Sequence, residues 1–355
     1  MLASLQSSTR LFSPYAWGWL ADHTGRRTPL LRVAVALALL CALGFFGSAR
    51  FGWIAAVTVA LFVCTAGVIP ISEAALAHFV SVGATLDAGR YGRVRVWGSV
   101  GFIVTVVGAG ALLQAVGVQA FPWLVIALLA GLMLAALRLP VVIEAAHGSA
   151  PAPGVWAVLR QPVVGWFFAG VFFTVLAHTS LYAFFSLYLV SIGYSKTAVG
   201  LIWAVGVVVE VGWFWFQGAW LARLSPHAWL TIAALVSMLR FAGIASFGSV
   251  PVLLVLLQCT HAVTFAAQHS ACIGVINRHF PGRLRGRGQA LYTVLGYGAS
   301  GVIGGLAGGA VSEAFGFAAV FWGASAAAAL AALCSARAHA LSRRPPGTSA
   351  HTAAA

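Results

Sequence analysis

Residues 18–27, GWLADHTGRR, place an aspartate, a histidine and two adjacent arginines directly after a run of apolar residues. The rest of the chain is poor in charge. Of its 355 residues, 61% are hydrophobic and 7% are charged, whereas a soluble domain has about 25% charged residues. Its mean hydropathy is +0.97. The composition predicts an integral membrane protein in which GWLADHTGRR is the turn between two membrane helices.

Apolar stretches long enough to cross a bilayer as a helix, about 20 residues each, recur along the chain. We predict eleven, five before and six after a polar, proline-containing segment. They lie near residues 2–21, 30–48, 52–78, 96–116, 120–139, 164–190, 198–221, 228–247, 250–276, 288–311 and 316–338. The runs are continuous and do not alternate, which argues against a β-barrel.

These spans predict an all-α membrane protein with two helical bundles. The first bundle occupies residues 1–143 and has five helices, and the second occupies residues 163–338 and has six. Residues 144–162 form a linker, and residues 339–355 form a disordered tail.

The basic residues indicate the orientation of the chain. The formal net charge is +14, but these residues stand in small groups between apolar runs, so we expect no nucleic-acid partner. Sixteen of the 20 basic residues fall in alternate loops, whereas only Arg50 and Lys196 fall in the others. Because positive residues concentrate in cytoplasmic loops, we expect the linker and the C-terminus in the cytoplasm. The chain would then be a multi-pass protein of the bacterial inner membrane, surrounded by the lipid bilayer.

The two halves contain related stretches. PYAWGWLADHTGRRTPLLR (residues 14–32) and WFWFQGAWLARLSPHAWLT (residues 213–231) share Trp-Leu-Ala, then a turn and a basic residue. This alignment pairs the first predicted span with the second span of the other half. Residues 164–190 then have no counterpart, so we expect a first helix to be missing from this reading frame.

The pattern Gly18-x-Leu20-Ala21-Asp22-x-x-Gly25-Arg26-Arg27 resembles the signature loop between helices 2 and 3 of the major facilitator superfamily of transporters. A finer resemblance is to its 3-phenylpropionic acid transporter branch, near the sugar and nucleoside proton symporters. It rests on YGRVRVWGS (91–99), GVVVE (206–210), HAVTF (261–265) with His269, and QALY (289–292).

The resemblance implies the major facilitator fold, with pseudo-symmetric bundles that rock about a midplane site. The first bundle would be equivalent to helices 2–6. It implies a secondary active transporter, not an enzyme, that carries a small organic solute by alternating access. The expected activity is proton-coupled symport of an aromatic or other organic acid by a monomer. Two alternatives stay open: a sugar or nucleoside proton symporter, and a non-transporting or truncated membrane protein on a transporter scaffold.

The resemblance also implies a gating role for residues of the signature loop, as a contact that breaks and re-forms during transport. These residues are Gly18, Asp22, Gly25, Arg26 and Arg27. Their alternative role is simply to anchor the loop in the cytoplasm.

Two carboxylates within predicted spans are candidates for proton coupling. An ionisable group there costs at least about 2.5–3.5 kcal/mol, and such groups are kept mainly for function. Glu210 lies in the middle of its span and is the first choice; its alternative is a static ion pair, for example with Arg240. Glu73 follows Pro70 near the end of its span and alternatively reaches interfacial water.

Cationic and aromatic residues in the spans are candidates for substrate binding. Arg240 and Arg10 each lie near the middle of a span, where a guanidinium offers a bidentate fork to a substrate carboxylate. Tyr182 and Phe185 are three residues apart, share a helix face, and are candidates for stacking on an aromatic substrate. Packing is the alternative for these aromatic rings, and pairing with the glutamates is the alternative for the arginines.

Two histidines on one helix complete the candidate site. At 100° and 1.5 Å per residue, His261 and His269 lie ~80° apart around an α-helix and ~12 Å apart along it. We expect them to line one cavity at two depths, with His261 in proton or substrate handling and His269 in substrate binding. Interhelical hydrogen bonding is their alternative. No metal and no cofactor are expected, because the cysteines stand singly and the histidine spacing does not suit a paired ligand set.

Overall fold

The computed structural model of the chain describes residues 9, 11–82, 85–141 and 154–343. Within these residues the only sheet is an antiparallel pair of two-residue strands, β1 (Ser81–Val82) and β2 (Thr85–Leu86). Almost all other described residues are helical. The predicted all-α class is confirmed.

The described part of the first half contains six helices, with short 3-10 turns at Gly44–Phe46 and Val118–Ala120. The helices are α1 (Ser13–Thr24), α2 (Arg27–Leu43), α3 (Phe51–Thr65), α4 (Val68–Phe79), α5 (Ala88–Val116) and α6 (Phe121–Arg138). α1 stops at Gly25, whose φ of 64° is left-handed, a conformation that glycine adopts without strain. The reversal expected within GWLADHTGRR is therefore present.

The second half has longer helices, two of which continue through π-helical turns at Ala262–Ala267 and Tyr292–Ala299. A 3-10 turn at Gly282–Leu284 precedes the second of these. The helices are α7 (Val155–Leu159), α8 (Pro162–Ser191), α9 (Lys196–Phe216), α10 (Gly218–Leu221), α11 (Pro226–Phe247), α12 (Pro251–Cys259), α13 (Gln268–His279), α14 (Arg285–Leu291), α15 (Ser300–Phe315) and α16 (Phe317–Ser342).

Each of the eleven predicted spans coincides with a helical segment in its described part. Nine of these segments are long and apolar enough to cross a membrane. The other two are α1, of which 12 residues are helical, and α5, whose first two turns carry Arg90, Arg93 and Arg95.

The start of α5 corrects the sequence analysis. The predicted span began at residue 96, which assigned Arg95 to a cytoplasmic loop. In the structure α5 begins at Ala88 because Asp87 caps it: the Asp87 carboxylate accepts a hydrogen bond from the Arg90 N–H at 3.0 Å. Carboxylates at this position stabilise the first helical turn. Arg95 therefore lies inside the helix, two turns from its start.

Each half has its own helix packing. In the second half α8 and α11 both pack along α16, around buried side chains that include Phe185, Phe241 and Phe321. In the first half α2 packs on α3 and α6. Large apolar side chains on the outside, such as Leu239 and Leu306, remain 65% and 74% exposed, as expected of surfaces that face lipid.

Two helix pairs make the most extensive contacts between the halves. α1 packs on α14, and α5 packs on α9. The sequence alignment of the halves makes α1 equivalent to α9. When each helix is exchanged for its equivalent in the other half, the pair α1–α14 becomes the pair α9–α5. This is the pseudo-symmetry expected of the two bundles.

Candidate functional site

A cavity of about 680 Å³ lies between α5 of the first half and four helical segments of the second. Its wall combines charged, polar and aromatic side chains. They include Arg95, Ser99 and Phe102 of α5, Tyr182 of α8, Trp203 and Glu210 of α9, Arg240 of α11, Gln258 of α12, and His261 and Phe265. Glu210, Arg240, His261 and Tyr182, each predicted from the sequence, are thus brought together.

Glu210 is buried on this wall, with 7% of its surface exposed. Its Oε1 accepts a hydrogen bond from the Ser99 hydroxyl at 2.6 Å, and its Oε2 lies 3.6 Å from His261 Nε2. The carboxylate therefore joins helix α5 of one half to the end of α12 in the other.

Arg240 is 1% exposed and has neutral hydrogen-bond partners. Its guanidinium donates to His261 Nδ1 at 3.0 Å, to Thr264 Oγ1 at 2.9 Å and to Gln258 Oε1. The proposed static pair with Glu210 is absent, because His261 stands between the two charged groups. Within the described part of the chain, Arg240 forms no salt bridge and its Nε has no hydrogen-bond partner.

The contact with Arg240 fixes the protonation of His261. A guanidinium only donates hydrogen bonds, so His261 Nδ1 must carry a lone pair. A neutral ring then bears its proton on Nε2, on the side of Glu210. A second proton, on Nδ1, would point at the guanidinium and break this hydrogen bond. A proton on His261 Nδ1 would therefore break the contact with Arg240, whereas a proton on Glu210 leaves that contact intact.

Glu73 forms a second cluster on the α5 side. The Tyr91 hydroxyl donates to Glu73 Oε2 at 2.8 Å, and Arg95 Nε lies 3.6 Å from Oε1. His269 Nε2 lies 3.0 Å from the Tyr91 hydroxyl and 3.6 Å from Glu73 Oε1. The Glu73 side chain is 13% exposed, so it forms part of a buried network and does not simply reach interfacial water.

The two clusters meet through a stack of rings. His261 stacks on Phe265 with ring centroids 5.2 Å apart, and Phe265 stacks on His269 at 6.1 Å, with interplanar angles of 5° and 12°. His269 is not among the residues that line the cavity, so the expectation that both histidines line it at two depths is wrong, and the ~80° separation of a regular α-helix does not apply. The π-helical turn Ala262–Ala267 has i→i+5 hydrogen bonds, so the chain turns less per residue and the three rings align.

The predicted aromatic pair is divided between two environments. Tyr182 lines the cavity and stacks on Trp203, with ring centroids 6.3 Å apart. Phe185 is fully buried and packs edge-on against Trp203 and Phe321. Phe185 therefore lies in the core of the second half and not on the cavity wall, which corrects the expectation of a shared stacking face. Arg10 lies outside the described residues.

The loop at residues 18–27 makes the contact between α1 and α14. Asp22 accepts hydrogen bonds from the backbone N–H groups of Gly286 at 2.9 Å and Arg287 at 2.7 Å. Arg27 donates to the Gly282 carbonyl at 3.0 Å, whereas the Arg26 side chain is exposed. Asp22, which lies outside the nine candidate spans, has a raised pKa because burial disfavours its charged form.

Gly18 allows this contact. A Cβ at Gly18 would lie 2.7 Å from both the Gly286 carbonyl oxygen and the Ala290 Cβ. We call the contact between residues 18–27 and 282–290 the first gate. The arrangement agrees with the gating role that the resemblance implied, although this role stays a proposal.

A second gate has the equivalent position between α5 and the end of α9. The Gln217 amide donates to the Ala88 carbonyl at 2.8 Å and accepts from the Ser270 hydroxyl at 2.8 Å. A Cβ at Gly218 would lie 2.9 Å from the Gly89 Cα. Both gates lie on the side of the arginine-rich loops.

Sequence reasoning missed several residues of the site. Tyr91, Arg95 and Ser99 recur every four residues and so share one face of α5, which is the face that contacts Glu73, the cavity and Glu210. This spacing was the available signal. Gln258, Thr264 and Phe265 had no such signal, because they lie around the π-helical turn.

Comparisons with known proteins identify the family. Residues 1–322 match the model of the MFS_1 like family. The chain is 31% identical over 277 residues to a probable 3-phenylpropionic acid transporter of Escherichia coli K12, covering 76% of this chain and 70% of the relative. It is 28% identical over 297 residues to a maltose permease of Geobacillus stearothermophilus, covering 79% and 70%.

A solved structure shares the fold. The Escherichia coli fucose:proton symporter superposes with a TM-score of 0.71 at 17% identity, covering 94% of this chain and 89% of that one. Among the described residues, the eleven helical segments that match the predicted spans, nine of them long and apolar enough to cross a membrane, agree with that fold. The chain therefore belongs to the MFS_1 like family and is a membrane transporter of the major facilitator type.

Proposed function

We propose that this chain is a proton-coupled symporter of a small organic acid, with an aromatic carboxylate as its preferred substrate. The observation that carries the proposal is Arg240, a buried cation on the cavity wall without a carboxylate partner among the described residues. A buried charge is costly unless it is paired. A substrate carboxylate would be a direct partner for this cation, which Glu210 balances only across His261.

The geometry around Arg240 suits such an anion. Both Arg240 Nε and Gln258 Nε2 lack hydrogen-bond partners in the described part of the chain, and both residues line the cavity. A carboxylate can accept from a guanidinium in a bidentate manner. Tyr182, Trp203 and Phe102 offer ring surfaces for an aryl group nearby. The name of the Escherichia coli relative, a probable 3-phenylpropionic acid transporter, fits the same substrate class.

The charges on the wall explain coupling to protons. Without substrate, Glu210 and Arg240 balance each other across the neutral His261. A bound carboxylate adds one negative charge, and protonation of Glu210 restores the balance. When the carboxylate and the proton move together, no uncompensated charge has to cross the low-dielectric interior. Glu73 is already balanced by Arg95, so we assign it and His269 a supporting role.

The gates give the direction of access. Ile103 and Gly200 line the cavity, and at 1.5 Å per residue they lie about 22 and about 26 Å along their helices from Ala88 and Gln217 of the second gate. The cavity is thus on the far side of the closed gates. With the arginine-rich loops in the cytoplasm of a bacterial inner membrane, this monomer would face outward, and the proposed coupling to an inward proton gradient would drive import.

A sugar or nucleoside symporter is the second candidate. Glu210, Gln258 and Ser99 could hydrogen-bond sugar hydroxyls beside the Trp203 ring, and the maltose permease relative points the same way. In that case Arg240 would contact hydroxyl groups and not a carboxylate.

Transport into proteoliposomes tests the proposal. Uptake of labelled 3-phenylpropionate, maltose and uridine is measured with an imposed pH gradient and after a protonophore has collapsed it. We expect uptake of 3-phenylpropionate that disappears with the gradient. Gradient-driven uptake of maltose or uridine alone would favour the second candidate. No gradient-dependent uptake of any of the three would refute symport.

A further inference from the structure

A second pocket, of about 400 Å³, lies on the side of the arginine-rich loops, remote from the transport cavity. It is formed by the start of α11, the end of α13 and the end of α16. We call it the basic pocket, and its ionisable lining residues are Arg223, Arg278, Arg343, His227 and His339. Ser225, which caps α11, lies on the same wall.

The basic pocket has concentrated positive charge and no compensating carboxylate. None of its lining residues is acidic. Within the described part of the chain, Arg223, Arg278 and Arg343 form no salt bridge. Three guanidinium groups around one small space repel one another, unless an anion binds between them.

A buried histidine gives an independent indication of a ligand. His227 is 3% exposed, lies in the first turn of α11 and lines the basic pocket. Its Nδ1 is buried without a hydrogen-bond partner among the described residues. Buried polar atoms are normally satisfied, so an oxygen of a bound group would complete the bonding of this ring. The N-terminus of α11 adds a favourable dipole for negative charge.

We propose that the basic pocket binds a phosphate group, as the headgroup of an anionic phospholipid or as free phosphate. Phosphate oxygens accept bidentate hydrogen bonds from guanidinium groups, which makes arginine the preferred residue for their recognition. The pocket lies at the ends of three membrane helices, where lipid headgroups are found. Basic pockets of this kind between helices on the cytoplasmic side bind such headgroups.

The occupant would lie close to the second gate. Pro226, Gly274 and Arg278 of the basic pocket also line a neighbouring pocket, which extends to Gly89 and Gly218. These two glycines form the close approach of that gate. A phosphate group that neutralises Arg278 would therefore change the charge beside the gate.

Binding is measured on the purified full chain in detergent. The probes are short-chain phosphatidylglycerol, short-chain phosphatidylcholine and inorganic phosphate, and the readouts are the shift in Tm and retention in native mass spectrometry. We expect phosphatidylglycerol, inorganic phosphate or both to raise Tm, and phosphatidylcholine to act no better than buffer. The probe that raises Tm, phosphatidylglycerol or inorganic phosphate, identifies the source of the bound phosphate group. No response to either anionic probe would overturn the proposal.

Two variants locate the site. R223Q/R278Q removes two guanidinium groups, and we expect a loss of affinity of about fivefold for each. R138Q/R160Q removes the same charge from exposed arginines on the same side and should bind as the wild type does. R343Q, just beyond α16, repeats the test at a position without a role in packing. Undiminished binding in both pocket variants, or an equal loss in the control, would assign the effect to bulk charge and refute the site.

Discussion

Glu210, His261 and Arg240 form a row in which a neutral ring separates two opposite charges. A direct ion pair would be stable in both states of a transporter and would hold the carboxylate ionised. The intervening ring weakens this attraction, because Coulomb energy falls with distance. In the proposed mechanism, Glu210 would then exchange its proton when the charge beside Arg240 changes. The same row keeps Arg240 buried without a carboxylate, which makes it available to a substrate.

The first prediction concerns Glu210. E210Q replaces the carboxylate by a neutral amide that can still accept from Ser99. We expect loss of uptake driven by a pH gradient, because the proton-carrying group is gone, whereas exchange of external for internal substrate continues. Both are measured in proteoliposomes with labelled 3-phenylpropionate. E313Q is the matched control, since Glu313 is exposed near the end of α15. Retained gradient-driven uptake in E210Q would assign proton coupling to another group.

The second prediction concerns Arg240. R240K keeps the charge but removes the planar fork, so we expect weaker binding of the substrate carboxylate by about 1.5 to 3 kcal/mol. This corresponds to a rise in Kd of roughly 10- to 150-fold. Affinity is measured by equilibrium binding to the purified protein. R138K at an exposed position should leave Kd unchanged. An unchanged Kd for 3-phenylpropionate in R240K would show that Arg240 does not hold the substrate carboxylate.

The sequence predicted part of this site for a clear physical reason. Glu210, Arg240 and His261 were found because each places an ionisable group within an apolar span, where its cost requires an explanation. Arg95 was missed because it follows Arg90 and Arg93 and so looked like one more loop arginine. Ser99 was missed because a serine within a membrane helix costs little free energy and so gives no signal. Phe185 was misplaced because helical spacing gives a common face but does not say which neighbours cover it.

At the scale of helices, the two gates use different chemistry on equivalent pairs. The first turn of α14 is capped by Asp22 of the other half, whereas the start of α5 is capped by its own neighbour, Asp87. Charge-assisted hydrogen bonds to N–H groups at a helix start are strong. Opening the first gate therefore uncovers N–H groups of α14, while opening the second leaves the cap of α5 intact.

The third prediction concerns Gly18. G18A places a methyl group 2.7 Å from Gly286 O and Ala290 Cβ, so the helices must separate for it to fit. Overpacking of this kind costs about 1 to 3 kcal/mol. We therefore expect a smaller fraction of molecules to have the first gate closed. Distances between spin labels at the exposed residues Thr24 and Pro281 should become longer and more broadly distributed. The labels are attached to introduced cysteines after the five native ones are replaced.

The control for Gly18 is G131A in α6, where a Cβ would meet nothing within 4 Å. Alanine favours helix over glycine at both positions, so only the contact differs between the variants. Equal distance distributions in G18A and G131A would show that the close approach of α1 and α14 does not hold the gate. The turn at Gly25 was predictable from local chemistry, but the π-helical turns were not, since no residue type or spacing in their sequences marks them.

At the scale of the whole molecule, the pseudo-symmetry determines which contacts must break. The repeat in the sequence predicted that α1 and α9 are equivalent, because this comparison needs only local similarity. It did not predict their partners: Asp22 and Gly286 are 264 positions apart, and no periodicity connects them. The structure shows that each signature stretch packs on the other half. Both gates must therefore open together if the bundles rock as rigid bodies.

The fourth prediction tests this requirement with a cross-link at the second gate. Gly89 of the first half and the exposed Ala222 of the second half line one pocket beside this gate, and a Cβ at Gly89 would make only ordinary contacts. G89C/A222C, in the protein without native cysteines, can therefore be bridged by a short bifunctional methanethiosulfonate reagent. After the reaction we expect uptake to stop and substrate binding from the open side to continue, and reductant should restore uptake. A222C/G274C is the control, because Gly274 lines the same pocket and a Cβ there also makes ordinary contacts. This bridge stays within the second half and should leave uptake intact. Undiminished uptake by the bridged G89C/A222C protein would mean that the halves do not separate at this gate.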